Sequence, residues 1–347
     1  MEIVYKNLFN RLLEQKNLSQ QEAEGLLEQI IAGDFTPAQI GGLLVALRMK
    51  GETAEEVAGF AASLRRHAVA VPDISDEVFD TCGTGGDGMQ SFNISTATAL
   101  VVAACGVKVA KHGNRSVSST CGSADVLEAL GINITLTPEQ ASRCLRDAGV
   151  VFLFAPFYHP AFAKVGSVRK ELGVRTIFNI LGPLVNPARP QRQIIGVADP
   201  SKLKVVAEAL KLLDSERTMV MRSKDGHDEL TTTAPAEVYE VRRAEIKHYE
   251  LEPKEFGFNR ARQEDLKGGS REENAAIIRA VIAGEKGPRL DTVLLNAGAA
   301  LYTAGKASDI GKGIEMARSV IEKGEAVKLL DGFVEVSNKS HRSYKSV

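Results

Sequence analysis

Apolar residues recur at helical spacing through the first 72 positions of the chain. Four segments carry this pattern, and the last three each follow a residue that commonly caps a helix, at Ser19, Thr36 and Thr53. Pro37, directly after Thr36, is a second sign of a helix start. Four short amphipathic helices cannot bury all of their apolar faces alone. We therefore expect them to pack on one another and on a further surface, with another subunit as the economical candidate.

The pattern changes after Val71 and Pro72, where short apolar runs alternate with helical segments. Such alternation predicts βαβ units and a largely parallel sheet. Strands are predicted at 78–81, 107–110, 150–154, 194–198 and 217–221, with a hairpin at 238–241 and 246–251. Helices are predicted at 95–105, 124–130, 137–149, 200–213, 272–283, 292–302, 310–322 and 326–334.

Composition narrows the class of protein. A length of 347 residues predicts two domains, and a net charge of -1 argues against a general binder of nucleic acid or membrane surfaces. No apolar run approaches the roughly 20 residues that span a bilayer. The amphipathic N-terminal segment lacks the pattern of a signal peptide. The widely spaced cysteines favour free thiols in a cytoplasmic protein over disulfides or zinc: Cys82, Cys105, Cys121 and Cys144.

A glycine-rich loop, GTGGDG at 83–88, follows the first predicted strand. It formally matches a dinucleotide-binding pattern, but no acid lies between Gly88 and Asp125 to bind ribose hydroxyls. No Gly-Lys-Ser/Thr follows, which excludes a Walker loop. A flexible turn is the plain alternative. The strand before it, and the hydroxyls of Ser95 and Thr96 at the start of an apolar helix, favour a phosphate cradle instead.

A second polar loop, KHGNRS at 111–116, follows the next predicted strand, and further serines follow it. Alone it would be a solvated charged loop. In an open parallel sheet, however, ligands bind where loops leave the carboxyl ends of strands. We therefore expect both loops to face one crevice and to hold a multiply phosphorylated ligand.

Two more groups could complete such a site. Asp228 and Glu229 would be surface charge in isolation, but a polyphosphate ligand commonly brings Mg²⁺, which prefers carboxylates. Arg169 and Arg175 could bind a carboxylate or could form structural ion pairs. The order of residues supports no Ser-His-Asp or Cys-His arrangement.

These blocks together resemble the anthranilate phosphoribosyltransferase family of tryptophan biosynthesis. The resemblance rests on GTGGDG, FNIST, KHGNRSVSS, Asp228-Glu229, FAPFYHPA, VRKELGVRTIFNILGPLVNP and GGSREENA, which together span nearly the whole chain. It departs mildly at Ser91, where the family often has Thr, and at Cys121, where another small residue is expected.

The resemblance implies an α/β fold with a small N-terminal α-helical domain and a larger α/β domain around a mostly parallel sheet. The helical domain would comprise residues 1–72, joined by helices from about 160–182, and would form a homodimer. Residues 73–345 would bind the phosphoribosyl diphosphate. The implied reaction joins 5-phosphoribosyl 1-diphosphate to the amine of anthranilate, releases pyrophosphate and uses Mg²⁺.

The resemblance also implies site residues. For the diphosphate substrate these are Gly83, Gly86, Asp87, Ser91, Asn93, Ile94, Ser95, Thr96, Lys111, His112, Gly113, Asn114, Arg115, Ser116, Val117, Ser118, Ser119 and Ser123. For anthranilate they are Gly83, Asn114, Arg169, His112, His159 and Gly182. For the metal they are Ser95, Asp228 and Glu229. Positioning and charge stabilisation would come from Lys111, Asn114 and Arg169.

Two rival functions stay open at this point. A pyrimidine nucleoside phosphorylase shares the fold but carries a different glycine-rich signature, which this chain lacks. A non-catalytic relative that binds nucleic acid would show a basic stripe and would lose the metal-binding acids.

Overall fold

The computed structural model describes residues 2–74, 77–116 and 121–342. The helices are α1 Glu2–Leu13, α2 Gln20–Ala32, α3 Pro37–Lys50, α4 Ala54–Arg66, α5 Ile94–Ala104, α6 Ser123–Ala129, α7 Pro138–Ala148, α8 Ala155–Tyr158, α9 Ala163–Leu172, α10 Phe178–Leu181, α11 Leu203–Leu212, α12 Arg271–Ile282, α13 Pro288–Thr303, α14 Ile310–Glu322 and α15 Glu325–Arg342. The strands are β1 Phe79–Asp80, β2 Val109–Gly113, β3 Val150–Phe154, β4 Arg192–Gly196, β5 Arg217–Ser223, β6 Ala236–Arg242 and β7 Glu245–Leu251. Short 3-10 helices lie at Pro160–Phe162, Gly182–Leu184, Pro200–Lys202, Pro253–Phe256 and Gln263–Leu266.

The predicted caps of the N-terminal helices are confirmed. At α2, Ser19 Oγ accepts a hydrogen bond from Glu22 N at 3.3 Å, and Glu22 Oε2 accepts one from Ser19 N at 2.8 Å. The same reciprocal pairing opens α3 at Thr36 and α4 at Thr53. Each cap satisfies backbone donors that a helix leaves unpaired at its start, so the local sequence alone sets these three helix starts.

One seven-stranded sheet forms the centre of the molecule, in the order β3-β2-β1-β4-β5-β6-β7. Strands β1 to β5 are parallel, and β6 and β7 add an antiparallel hairpin. The predicted α/β fold is therefore confirmed. The chain winds outward from β1 to β3 and then returns to place β4 on the other side of β1. This reversal of strand order marks the crevice where ligands bind in open α/β sheets.

One sequence prediction is wrong in a way that matters for the site. The second strand, predicted at 107–110, runs instead from Val109 to Gly113. It pairs with β3 along its whole length, up to the Gly113 and Phe154 pair. Lys111 and His112 therefore belong to a strand and not to the loop, because their backbone pairs with β3 whatever the polarity of their side chains.

Apolar residues of the sheet serve two cores, one on each face. Along β4, Ile194 joins the core covered by α5 to α7 and α12 to α15, whereas Ile195 joins the core that includes α1 to α4. This alternation is the two-residue period of a strand. The N-terminal helices thus share a core with α11 and with one face of the sheet, and α9 packs on α3.

No helix in the described ranges combines the length and the apolar character needed to cross a bilayer.

Replacing Gly59 by alanine should destabilise the N-terminal helices. A Cβ at Gly59 in α4 would lie 2.3 Å from Gln20 O and 2.8 Å from Ala23 Cβ of α2, so the two helices would have to separate. We expect a loss of about 1–3 kcal/mol in unfolding free energy. Gly25→Ala is the matched control, because a Cβ at Gly25 meets nothing within 4 Å. This control should stabilise α2 by about 0.5–1 kcal/mol, and denaturant unfolding that ranks the two variants the other way would contradict the packing.

Candidate active site

The glycine-rich loop lies at the reversal of strand order. It leaves the end of β1 and reaches β4, where Thr84 N donates a hydrogen bond to Gly196 O at 2.8 Å and Ala198 N donates one to Thr84 Oγ1 at 3.0 Å. Three of its glycines adopt positive φ, with values of 64°, 76° and 78° at Gly85, Gly86 and Gly88. L side chains disfavour this region, so the glycines allow the backbone to form a concave surface for an anion.

Three acids meet beside this loop. Carboxylate oxygens of Asp87, Asp228 and Glu229 lie within 4.8 Å of one another. Gly85 N donates a hydrogen bond to Asp228 Oδ2 at 2.9 Å, and Asp228 N donates one to Asp87 Oδ2 at 3.4 Å. No lysine or arginine among the described residues forms an ion pair with any of the three.

Burial raises the pKa of Asp228, and the charge of Asp87 raises it further. Burial also raises the pKa of Glu229 well above its usual range, with Asp228 and Asp87 adding to the effect. Glu229 Oε2 is buried and has no hydrogen-bond partner in the described structure. Clustered carboxylates without a counter-ion fit a hard divalent cation such as Mg²⁺, which binds oxygen ligands.

The segment that carries the acid pair is held in place from three directions. Asn296 in α13 pairs with both backbone groups of Leu230, accepting from its N at 3.2 Å and donating to its O at 2.6 Å. Ser223 Oγ donates to Glu229 O at 3.0 Å. A Cβ at Gly196 would lie only 1.6 Å from Asp228 O, so this segment passes directly over β4.

Lys111 supplies a buried positive charge on the other side of the glycine loop. Lys111 is only 4 % exposed. Its Nζ donates to Thr81 O at 3.1 Å, to Thr81 Oγ1 at 3.3 Å and to Ser95 Oγ at 3.2 Å. These partners are neutral, and no described carboxylate lies within ion-pair distance of Nζ. A buried ammonium with only neutral partners is suited to an anionic ligand.

The start of α5 adds further unpaired polar atoms. The Asn93 side chain precedes the helix without capping it, since its Nδ2 donates instead to Cys121 O at 3.1 Å. Asn93 Oδ1 and Thr96 Oγ1 are buried and lack hydrogen-bond partners in the described parts of the chain. Because the Asn93 side chain does not cap α5, the backbone N–H groups at the start of this helix can bind an anion.

His112 and His159 lie on a second side of the site, and both are neutral at physiological pH. Burial lowers the pKa of His112 to about 3 and that of His159 to about 4. His112 Nδ1 lies 3.1 Å from Gly182 O. A neutral imidazole that donates from Nδ1 keeps Nε2 as an acceptor.

A row of rings leads from these histidines to Arg169. The ring centroids of His112 and His159 are 5.1 Å apart, His159 lies 5.5 Å from Phe162, and Phe162 lies 5.8 Å from Phe178. The Arg169 guanidinium lies 5.4 Å from the Phe178 ring, and burial lowers its pKa. Arg169 has no acidic partner within the described ranges. The rings of His112, His159, Phe162 and Phe178 therefore form an aromatic wall, with the unpaired cation of Arg169 at one end.

The residues that follow β2 are engaged with one another. Arg115 Nη1 lies 2.8 Å from Asp125 Oδ1 and 2.6 Å from Glu128 Oε2, and these hydrogen bonds, Glu128 first, raise its pKa. Asn114 Oδ1 accepts a hydrogen bond from Arg115 N at 2.7 Å, and Ser123 Oγ donates to Asn114 O at 3.3 Å. The charge of Arg115 is thus balanced by two acids of α6.

Other predicted site residues have mixed surroundings. Ser91 forms a bridge with Lys267, and the Ile94 side chain is fully buried in the core, so only its backbone could meet a ligand. A Cβ at Gly113 would lie 2.3 Å from Ser123 Oγ, so a larger residue at this position would clash with Ser123. Ser116 N donates to Asp125 Oδ2 at 3.2 Å. Val117, Ser118 and Ser119 lie outside the described residues.

Arg175 forms no ion pair among the described residues. Its Nη2 donates a hydrogen bond to Gly86 O in the glycine loop. This contact ties the segment after α9 to the loop that we expect to bind phosphate.

Two buried polar residues near the site were missed by the sequence analysis. Asp80 is the last residue of β1 and is fully buried, and Asn186 Nδ2 donates a hydrogen bond to its Oδ2 at 2.7 Å. Burial raises the pKa of Asp80 to about 6. An acid at a strand end, two residues short of a glycine loop, is the signal that could have identified Asp80. Asp87 also joins the acid pair, a role that the sequence did not suggest.

Comparison with known proteins decides the family. Residues 6–68 match a model described as a glycosyl transferase family helical bundle domain, and residues 75–327 match one described as a glycosyl transferase family a/b domain. The protein named anthranilate phosphoribosyltransferase from Acetivibrio thermocellus is 51 % identical over 333 residues, which cover 96 % of each chain. The chain belongs to the anthranilate phosphoribosyltransferase family. A second family member, from Thermomicrobium roseum, is 50 % identical over 91 % of this chain and 92 % of its own.

Solved structures of anthranilate phosphoribosyltransferases share the whole fold. The enzyme from Thermus thermophilus superposes with a TM-score of 0.90 at 42 % identity, covering 95 % of this chain and 99 % of its own. The Saccharomyces cerevisiae enzyme in complex with PRPP and Mg gives 0.89 at 27 % identity, covering 98 % and 99 %. Another structure of the yeast enzyme contains 4-fluoroanthranilate, with a TM-score of 0.87 at 26 % identity over the same shares.

Proposed function

We propose that the protein transfers the 5-phosphoribosyl group of 5-phosphoribosyl 1-diphosphate to the amine of anthranilate, in L-tryptophan biosynthesis. The products are N-(5-phosphoribosyl)anthranilate and pyrophosphate. The observation that carries this proposal is the unpaired, buried Lys111 between a glycine loop with an acid cluster and an aromatic wall that ends in Arg169. One half suits a diphosphate, and the other suits a flat aromatic acid.

Expulsion of pyrophosphate from the ribose is the demanding step, because negative charge accumulates on the leaving group. Lys111, the amides of the glycine loop and the start of α5 would stabilise that charge. Asp87, Asp228 and Glu229 would hold Mg²⁺, with the Ser95 hydroxyl as a further candidate ligand. The ion, when bound, would neutralise part of the diphosphate charge.

The acceptor half needs positioning more than proton transfer. The aromatic amine of anthranilate is uncharged at neutral pH and can attack without prior deprotonation. Arg169, free of an acidic partner among the described residues, would bind the anthranilate carboxylate, and the neutral His112 and His159 rings would line its aromatic face. Holding the amine near the ribosyl carbon would then supply much of the acceleration. Asn114 would contact the acceptor from the loop after β2.

We include a homodimer and a cytoplasmic location in the proposal. Leu13 at the end of α1 and Met49 near the end of α3 are 57 % and 79 % exposed, and α1 packs on α3. Exposed apolar side chains on adjacent helices support a subunit contact there. Light scattering should then give twice the chain mass of 37.3 kDa. The four cysteines, all in the described ranges, form no disulfide, which suits a reducing compartment; cell fractionation would test this location.

The decisive test mixes the protein with Mg²⁺, 5-phosphoribosyl 1-diphosphate and anthranilate, and follows anthranilate fluorescence. We expect the fluorescence to fall only when all components are present, with equimolar pyrophosphate released. Stable fluorescence, together with phosphorolysis of uridine or thymidine, would favour the nucleoside phosphorylase alternative and refute our proposal.

Replacing Arg169 by alanine should impair binding of the acceptor selectively. Loss of a charged partner for the carboxylate should raise the anthranilate KM by on the order of tenfold or more. The KM for the diphosphate substrate should change far less, because Arg169 lies at the far end of the aromatic wall. Steady-state kinetics with each substrate varied in turn would measure both constants.

Arg146→Ala serves as the control for the Arg169 experiment. Arg146 is exposed on α7 and pairs only with the neighbouring Asp147 among the described residues. It should leave both KM values unchanged. Equal increases of the two KM values in Arg169→Ala would remove Arg169 from the acceptor subsite.

Neutralising Asp228 and Glu229 should raise the Mg²⁺ concentration that the enzyme needs for activity. In the variant carrying Asp228→Asn and Glu229→Gln, the Mg²⁺ concentration for half-maximal rate should rise on the order of ten- to a hundredfold, since a lost metal contact costs at least this much. Asp214→Asn is the control, because it replaces a carboxylate by an amide at an exposed turn outside the proposed site and should leave the Mg²⁺ titration unchanged. A Mg²⁺ titration identical to wild type would exclude the pair from the metal site.

A further inference from the structure

Asp80 occupies the junction between the two halves of the proposed site. It is the last residue of β1, and its carboxylate is wholly buried. Its Oδ1 accepts hydrogen bonds from Thr81 N at 2.7 Å and from His112 N at 3.3 Å, and its Oδ2 accepts one from Asn186 Nδ2 at 2.7 Å. No lysine or arginine in the described ranges lies within ion-pair distance of it. Burial raises its pKa, and the charge of Lys111 lowers that pKa in part.

Asn186 extends this contact to the other side of Lys111. Its Nδ2 also donates to Ala110 O at 2.8 Å, and its Oδ1 accepts from Ala188 N at 2.8 Å. Asp80 therefore binds the backbone after Lys111 directly and the backbone before it through Asn186. The backbone on both sides of Lys111 is fixed by one buried carboxylate.

The sheet restrains this part of β2 from one side only, because β2 pairs with β3 up to Gly113 whereas its pairing with β1 is short. Strand β1 has only two residues, and its register with β2 is the Phe79 and Val109 pair. Beyond that pair, β1 offers no backbone partner to β2 among the described residues. The Asp80 side chain takes this place by accepting a hydrogen bond from His112 N. A side chain in this role can fix, on the β1 side, the residues of β2 that follow its last pair with β1.

The fixed segment serves both halves of the site at once. Successive residues of a strand direct their side chains to opposite faces. Lys111 Nζ accordingly reaches Thr81 and Ser95 on the side of the glycine loop, whereas His112 Nδ1 lies 3.1 Å from Gly182 O beside the aromatic wall.

We propose that Asp80 is a positioning residue, whose carboxylate sets the geometry of Lys111 toward the diphosphate and of His112 toward the acceptor. The idea rests on the proposed function for the identity of the two ligands. Asp80 itself touches neither ligand in this account. Its effect on diphosphate binding must therefore pass through Lys111.

A double-mutant cycle tests this dependence. Calorimetry would measure binding of inorganic pyrophosphate with Mg²⁺ to four proteins: wild type, Asp80→Asn, Lys111→Met and the double variant. We expect Asp80→Asn to weaken binding by about tenfold in the wild-type background and by less than about twofold when Lys111 is already methionine. The anthranilate assay with wild type tests the proposed function separately, so a failure of either idea can be recognised.

Two results would overturn the inference. The same loss in both backgrounds would mean that Asp80 acts on the fold and not through Lys111. Unchanged or tighter binding by Asp80→Asn would also overturn it, because loss of a negative charge alone should favour an anion.

Two further variants guard against a folding artefact. Asn186→Ala, which leaves the Asp80 charge in place but removes the link to Ala110, should show the same dependence on Lys111; equal losses with and without Lys111 would contradict the proposal. Ser215 lies just before β5, and Ser215→Ala removes its buried hydrogen bond to Thr218 in that strand; this variant should have a lower melting temperature but unchanged pyrophosphate binding. If pyrophosphate binding weakened in Ser215→Ala as well, the loss in Asp80→Asn would be explained by general destabilisation of the fold, which would contradict the proposal.

Discussion

Buried charges without ion pairs dominate the carboxyl edge of the sheet. Lys111 has only neutral partners among the described residues, Asp80 is held by backbone and amide donors, and the carboxylates of Asp228 and Glu229 lie against each other. Each such group is costly to bury unless something balances its charge. The rest of the fold fixes these groups in place, through the glycine loop, Asn186 and Asn296. A charged ligand with its metal would supply the missing balance.

The two halves of the proposed site differ in chemistry because they are built from different parts of the chain. The diphosphate half uses the ends of β1, β2 and β4 and the segment after β5, which the reversal of strand order brings together. The acceptor half uses the rings of His159, Phe162 and Phe178, which follow β3 and surround α9. Among the described strands, β2 contributes side chains to both halves, through Lys111 and His112. This shared strand explains why its exact position matters.

Much of this arrangement could be predicted from the sequence, where the signal is local. Helix caps at Ser19, Thr36 and Thr53 set helix starts, and the strand at 150–154 was predicted to the residue. The glycine loop and the acid pair were also visible as motifs. The end of β2 was missed, because Lys111 and His112 look like loop residues until β3 pairs with them.

The unpredicted parts of the site depend on contacts between distant residues. Asp87 meets Asp228 from 141 positions away, and Asn186 meets Asp80 from 106 positions away. No pattern within a short window reports such pairs. Arg115 is a different case, since Asp125 and Glu128 on one face of α6 are a local signal that its charge has partners. Its predicted phosphate contact stays a prediction.

The buried ammonium of Lys111, whose hydrogen-bond partners are all neutral, is suited to bind an anionic substrate. Calorimetric titration of wild type and of Lys111→Met with 5-phosphoribosyl 1-diphosphate, in the presence of Mg²⁺, tests this role most directly. We expect binding at one site per chain in wild type, with affinity weakened by roughly ten- to a hundredfold in the variant. Equal affinity in the two proteins, with both folded, would contradict it.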